Sequence, residues 1–199
     1  FCRCLYFSFS SLGFKFILRM IDLVVKVVAS ELNEFFRLKF GIKEDRVIIS
    51  NLVNQDGSPS VKDDNRLILS LVLIQEEKIV NNINQTYSKP VYLNVFLLFS
   101  ASFNEKLNLD ALKFLTAVIS FFQNKHTFNK QNTSNLGNGI DKLTFEIFNQ
   151  SIQEQSNLWS TLGAKYMPSI LYKVRILKID ENMLAPDIID VSNVDRNYE

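Results

Sequence analysis

Two uncharged apolar runs constrain this chain most. They are Leu67–Ile74 (LILSLVLI) and residues 90–100 (PVYLNVFLLFS). Both are rich in β-branched, aromatic and leucine side chains and are bounded by polar segments. Apolar residues on both sides of an extended chain predict strands covered on both faces, at the centre of a sheet. Between them lies a long polar stretch, residues 76–89 (EEKIVNNINQTYSK). It is too long for a tight hairpin, so a projecting excursion is expected.

The partners of such a sheet are legible as helices. In residues 21–40 the apolar side chains Ile21, Val24, Val25, Val28, Leu32, Phe35 and Phe36 recur every three or four positions. That spacing predicts an amphipathic helix, with Asp22, Lys26, Ser30, Asn33, Glu34 and Arg37 on the opposite side. Asp22 would stand in the first turn, Arg37 and Lys39 in the last, each suiting the helix dipole, and Gly41 would stop it. Leu109–Gln123 predicts a second helix, apolar around much of its surface and deeply packed. Ser151 and Glu154 form an S-x-x-E capping box that opens a third helix, with Leu158, Trp159 and Leu162 on its apolar side and Gly163 at its end. Further strands are expected at Arg46–Val53, Leu143–Phe148 and Ile170–Ile179. Asn54–Asn65 reads as a turn-rich loop and Asn124–Gly139 as a mobile one. The fold class is therefore α/β (α+β): a mixed sheet of about five strands with three packed helices.

The chain has 199 residues, a length that suits one domain with an arm. Its net charge is only +1, which argues against the concentrated positive charge that nucleic-acid binding requires. The charge is unevenly placed. Residues 1–19 carry Arg3, Lys15 and Arg19 and no acid, whereas 180–199 carry six acids against Arg196. Met20 is the first methionine. Residues 1–19 are therefore expected to be an upstream extension or a disordered N-terminus. Residues 20–180 form the body and 181–199 an acidic C-terminal arm. No stable membrane insertion is expected. Cys2 and Cys4 stand too close together for a good structural disulfide, and with one distant His126 they fall short of a zinc site.

No constellation for catalysis emerges. The chain has no G-x-G-x-x-G, no phosphate-loop signature and no G-x-S-x-G, and its single histidine cannot build a triad. We expect no enzyme activity, no catalytic residues, no metal and no cofactor. Lys165, Tyr166, Lys173 and Arg175 gather around the last turn and strand. They read as an anion site, as a solvated face with snorkelling stems, or as a charged rim against a partner protein; the rim is favoured.

Residues 90–101 (PVYLNVFLLFSA), the helix 111–123 (ALKFLTAVISFFQ), the opening IDLVVKVVASELNEFF and residues 157–175 (NLWSTLGAKYMPSILYKVR) together carry a resemblance. Over about residues 20–180 the chain resembles the cap, or tail-terminator, proteins of phage-tail-like extracellular contractile injection systems, of the antifeeding-prophage and virulence-cassette kind. The string Trp159, Leu162, Gly163, Lys165, Tyr166, Pro168, Ser169, Tyr172, Lys173, Arg175 is its most specific part. The resemblance implies a tail-terminator fold and a structural cap. Such a cap forms a sixfold ring on the distal end of the inner tube and sheath, ends polymerisation and stabilises the particle. The implied partners are copies of the chain, the inner tube protein and the sheath protein. The implied setting is the bacterial cytoplasm during assembly, within a particle later released or anchored. The acidic arm, with Leu184, Ile188, Ile189 and Val191 interspersed, is expected to add a strand to a neighbouring sheath subunit. The alternatives are a cargo-loading adaptor or chaperone of the same particle and, further off, a small-molecule-binding enzyme.

Overall fold

The computed structural model describes residues 11–62, 65–77, 91–137 and 140–179. Side chains are described throughout these except at 11–19, 91, 105 and 177–179. The arm residues Leu184, Ile188, Ile189 and Val191 and the pair Cys2 and Cys4 lie outside the described residues, as does most of the 76–89 excursion.

Among the described residues, six strands form one mixed sheet. They are β1 (Val47–Ile49), β2 (Arg66–Glu76), β3 (Val91–Ser102), β4 (Thr127–Asn129), β5 (Lys142–Ile147) and β6 (Ser169–Ile179). Their order across the sheet is β1-β2-β3-β6-β5-β4. β1 runs parallel to β2 and every other pair is antiparallel. Among the described residues, three α-helices pack on it: α1 (Ser11–Phe40), α2 (Asn108–Asn124) and α3 (Ile152–Leu162). α1 and α2 cover one face, and α3 covers part of the other. The expected α/β class with three helices holds. The sixth strand is β4, three residues long, inside the stretch read as a mobile loop. Phe128, Thr133 and Leu136 are buried there, which ties that stretch to the core.

α1 begins ten residues before the expected helix. Asp22 consequently sits mid-helix and not in the first turn, where it pairs with Lys26 at 2.8 Å. The last turn is as expected: Arg37 and Lys39 stand there, and the Gly41 N–H donates to Arg37 O at 3.0 Å with Gly41 at φ +66°. One residue placed on the polar side is misplaced, because Asn33 is buried against β1.

The main core joins α1, α2 and the sheet through aromatic rings. Phe36 meets Phe114 edge-on at 5.3 Å, and Phe35 meets Phe121 at 5.2 Å. Phe122 stacks on Phe145 at 4.6 Å and lies 4.6 Å from Tyr172. Gly137 closes the adjacent loop at φ +77° against Leu23, where a Cβ would overlap the leucine side chain. The second core lies under α3, where Trp159 packs with Leu52, Ile68, Phe96, Leu98 and Leu171.

Tyr172 is 2% exposed, and burial pushes its hydroxyl pKa up from 10 to about 12. The folded state thus favours the neutral phenol more than the unfolded chain does. The stability this contributes is fully present below pH ~10 and is lost as pH rises through about 12. Its size is of order 2 kcal/mol. Tyr172→Phe is therefore expected to leave the urea midpoint nearly unchanged at neutral pH and to raise it above the parent's near pH ~11. Identical alkaline profiles for the two proteins would contradict this.

Candidate functional site

A sheet offers two kinds of contact surface: its faces, through side chains, and its edges, through backbone N–H and C=O groups. The edges of this sheet are unequal. β1 forms one outer edge. The Leu67 N–H donates to Arg46 O and the Ser50 N–H to Leu69 O, so alternation turns the Val47 backbone outward. Both outward groups of Val47 are taken by Asn33 of α1: its Nδ2 donates to Val47 O at 3.0 Å, and its Oδ1 accepts from the Val47 N–H at 2.8 Å. One asparagine amide thus stands where a further strand would bind.

The opposite edge repeats the device. In β4 the outward groups belong to Thr127 and Asn129. Asn132 Nδ2 donates to Thr127 O at 2.8 Å, and its Oδ1 accepts from the Asn129 N–H at 2.9 Å. Sequence reasoning found neither asparagine, since nothing local distinguishes an edge-closing amide from a turn or surface residue.

β2 is different. Its first half is buried, as predicted for a central strand, but its second half is not. Leu71, Leu73 and Ile74 are 40%, 45% and 42% exposed. The expectation that 67–74 is covered on both faces fails because β1 pairs only with Leu67–Leu69. Beyond Ser70 the strand is itself an edge. A bulge between Leu71 and Leu73 shifts the register against β3.

The charged rim resolves into separate parts. Tyr166 stands edge-on to Trp159 at 5.5 Å and is 63% exposed, and Lys165 is exposed beside it. Lys173 and Arg175 lie along β6, on the face opposite the buried Tyr172, Val174 and Ile176, as the alternation predicts. Lys173 is flanked by Phe96 of β3 and Glu146 of β5. Arg175 Nε lies 2.9 Å from Glu77 Oε2, so a carboxylate of the β2 end neutralises it. No contact joins this pair to Lys165 and Tyr166.

The concave surfaces are open. A cleft of about 380 Å³ is lined by Ile152, Gln155, Trp159, Gly163 and Tyr166. A groove of about 540 Å³ runs between α1 and β1 past Asn33, Arg37 and Asp45, with Arg37 and Asp45 paired at 3.4 Å. Ionisation is disturbed in few places, each with a local cause. The Ser58 hydroxyl and N–H hold the Asp56 carboxyl below its usual range, and the Ser151 N–H and hydroxyl do the same for Glu154 in the capping box. Among the described residues no three histidine, cysteine or acidic side chains gather to hold a metal. Among them, too, no helix is long and apolar enough to cross a membrane.

Fold and surfaces together define a three-layer α/β domain in which, among the described residues, asparagines cap the outer strands β1 and β4 and the second half of β2 is unpaired on its outer side. The family model described as the Pvc16 N-terminal domain matches residues 23–188, and the chain belongs to that family. The family assignment read from residues 20–180 agrees with it. Among solved structures, the chain is similar to the cryo-EM structure of the anti-feeding prophage cap, a tube-terminating cap. The two share 15% identity at a TM-score of 0.43, over 72% of this chain and 50% of that one. The chain thus spans half the length of that cap chain. No curated protein matches it.

Proposed function

We propose that this chain is the cap, or tail-terminator, subunit of a phage-tail-like contractile injection system. It would form a ring on the distal end of the inner tube and sheath and stop their growth. The observation that carries this reading is membership of the Pvc16 N-terminal domain family across residues 23–188, joined to the string from Trp159 to Arg175 that resembles cap proteins. Its work is structural and needs no turnover. Its partners are further copies of the chain, six being the expected number, with the tube and sheath proteins below. It assembles in the bacterial cytoplasm, as part of a particle later released or anchored.

The surface suits such a role. A ring subunit meets identical neighbours through two different patches that close on themselves. Exposed apolar side chains occur at separated places: Leu38 at the end of α1, Leu109 and Leu112 at the start of α2, and Ile147, Phe148 and Ile152 around the start of α3. Contiguous apolar patches mark interaction surfaces, whereas single exposed apolar residues do not.

The test is removal of the coding sequence from a producing strain. Particles are expected to lose their uniform length and to show frayed non-baseplate ends, and labelled antibody against the chain should decorate that end of parental particles. Uniform particles without the chain would overturn the reading. A chain needed for loading but absent from finished particles would establish the adaptor instead.

A further inference from the structure

Asn33 seals Val47 of β1 and Asn132 seals Thr127 and Asn129 of β4, whereas among the described residues β2 from Ser70 to Glu76 carries no such seal. Among the described residues it is the longest unpaired stretch of edge; on the far side, β5 beyond β4 leaves only Ile147 facing outward. The Glu77 N–H donates to Tyr92 O, so alternation turns residues 75 and 73 toward β3 and points the backbone groups of Ile74 and Glu76 away from the sheet. Exposed, apolar and unpaired, this edge is of the kind that proteins blunt unless something binds there.

Its occupant is constrained by side chains and by length. The register places Leu71 and Ile74 opposite Leu97 and Val95, on the face of the main core. It places Leu73 opposite Phe96, on the face of the second core. A strand that fits must therefore carry an apolar side chain on each face. The chain itself supplies one after β6. Residues 184–191 (LAPDIIDV) put Ile188 and Ile189 side by side, which in a strand point to opposite faces. These eight residues extend over ~26 Å, against ~23 Å for the open edge. Pro186 lacks an N–H, which the outer side of an edge strand tolerates. The family match runs past β6 to residue 188, so most of this segment belongs to the shared domain. β6 ends with Ile179 opposite Val91, at the end of the sheet where β2 also ends. A chain turning back from there runs antiparallel to β2.

We propose that the open edge of β2 receives residues 184–191 of a neighbouring copy as an added antiparallel strand, linking ring subunits through backbone hydrogen bonds. This rests on the cap reading. It moves the arm's partner from the sheath to the next subunit. Residues 180–183 serve as the link between copies, and these four residues span about 14 Å when extended.

The experiment uses the full chain with Cys2 and Cys4 replaced by serine, Leu73→Cys on β2, and either Ile188→Cys or Ile189→Cys in the segment. Purified particles carrying it are oxidised and run on a denaturing gel without reductant. A ladder of covalent multimers with one of the two arm cysteines is expected. Adding Ile74→Pro, which removes an outward N–H and leaves the β2–β3 ladder intact, should reduce the ladder about tenfold. An aspartate at the other isoleucine, Ile189→Asp in the Ile188→Cys background or Ile188→Asp in the Ile189→Cys background, should reduce whichever ladder forms without touching the body. A cross-linked monomer alone would assign the segment to its own chain and overturn the exchange. A chain present in particles but never cross-linked, or a ladder indifferent to both variants, would overturn the strand itself and leave the cap reading standing. Particles lacking the chain altogether would overturn both.

Discussion

Phe122→Ala is expected to lower the free energy of unfolding by about 4 kcal/mol. Phe122 is 3% exposed on α2. Its ring lies 5.7 Å from Phe99 of β3, 6.3 Å from Phe128 of β4, 4.6 Å from Phe145 of β5 and 4.6 Å from Tyr172 of β6. One side chain of one helix therefore touches four of the six strands. The stacked pair with Phe145, at an interplanar angle of 20°, adds to the area term, since aromatic pairs contribute roughly 1 kcal/mol beyond burial. Truncation to alanine removes the ring from a cluster whose members are fixed by the sheet and so cannot collapse to fill the void. Single domains have about 5–15 kcal/mol in total, so such a loss takes a large share of the reserve. Phe122→Leu keeps much of the volume and should cost closer to 1.5 kcal/mol. Urea titration of both variants checks this: the midpoint should fall in that order with an unchanged slope. A loss under about 1 kcal/mol for alanine would mean that the cluster repacks and that the sheet does not hold it.

Much of this architecture could be read from local pattern. The periodicity of Ile21–Phe36 and of Leu109–Gln123 marked two helices. The Ser151–Glu154 pair marked the start of α3, where the Ser151 hydroxyl accepts from the Glu154 N–H at 3.2 Å and the Glu154 carboxylate accepts from the Ser151 N–H at 2.7 Å. Gly163 marked its end, in the left-handed conformation at φ +65° that glycine adopts without strain. What escaped depends on distant parts of the chain. A run such as LVLI announces a strand, but whether its faces are covered depends on how far β1 extends beside it. β4 is three residues within a stretch rich in asparagine; the apolar Phe128 and Leu136 among polar neighbours were the available signal. Asn33 looked like a residue of the solvated face because a helical wheel does not show that a strand edge would come to lie against it. The candidate site divides in the same way. The family was legible in a contiguous string, whereas the open edge of β2 is created by sheet order and has no linear signature.

The second core gives the other large effect. Trp159→Ala is expected to cost about 3–5 kcal/mol, and its consequences should begin at α3. That helix has eleven residues, too few to persist in water without packing, and Trp159 is its one buried residue. Its ring rests on Ile68, Phe96, Leu98 and Leu171, with Tyr166 edge-on above it. Its buried indole nitrogen has no hydrogen-bond partner among the described residues, and packing is the main hold on the side chain. A buried unpaired donor itself costs about 1–3 kcal/mol. Trp159→Phe, which deletes the donor and keeps a ring, should therefore be far milder than alanine, within about 1.5 kcal/mol of the parent. Hydrogen exchange distinguishes local from global loss: in Trp159→Ala the amides of α3 should lose protection first, while those of β3 and α2 follow only global unfolding. If phenylalanine proved as damaging as alanine, the indole N–H would have to be bonded after all. Since α3 leads directly into Lys165, Tyr166 and the start of β6, loosening it also displaces the most specific part of the family's string. If the proposed cap role holds, the same variant should weaken incorporation into particles before the main core fails, and normal incorporation by a chain with an unprotected α3 would separate that surface from the proposed contacts.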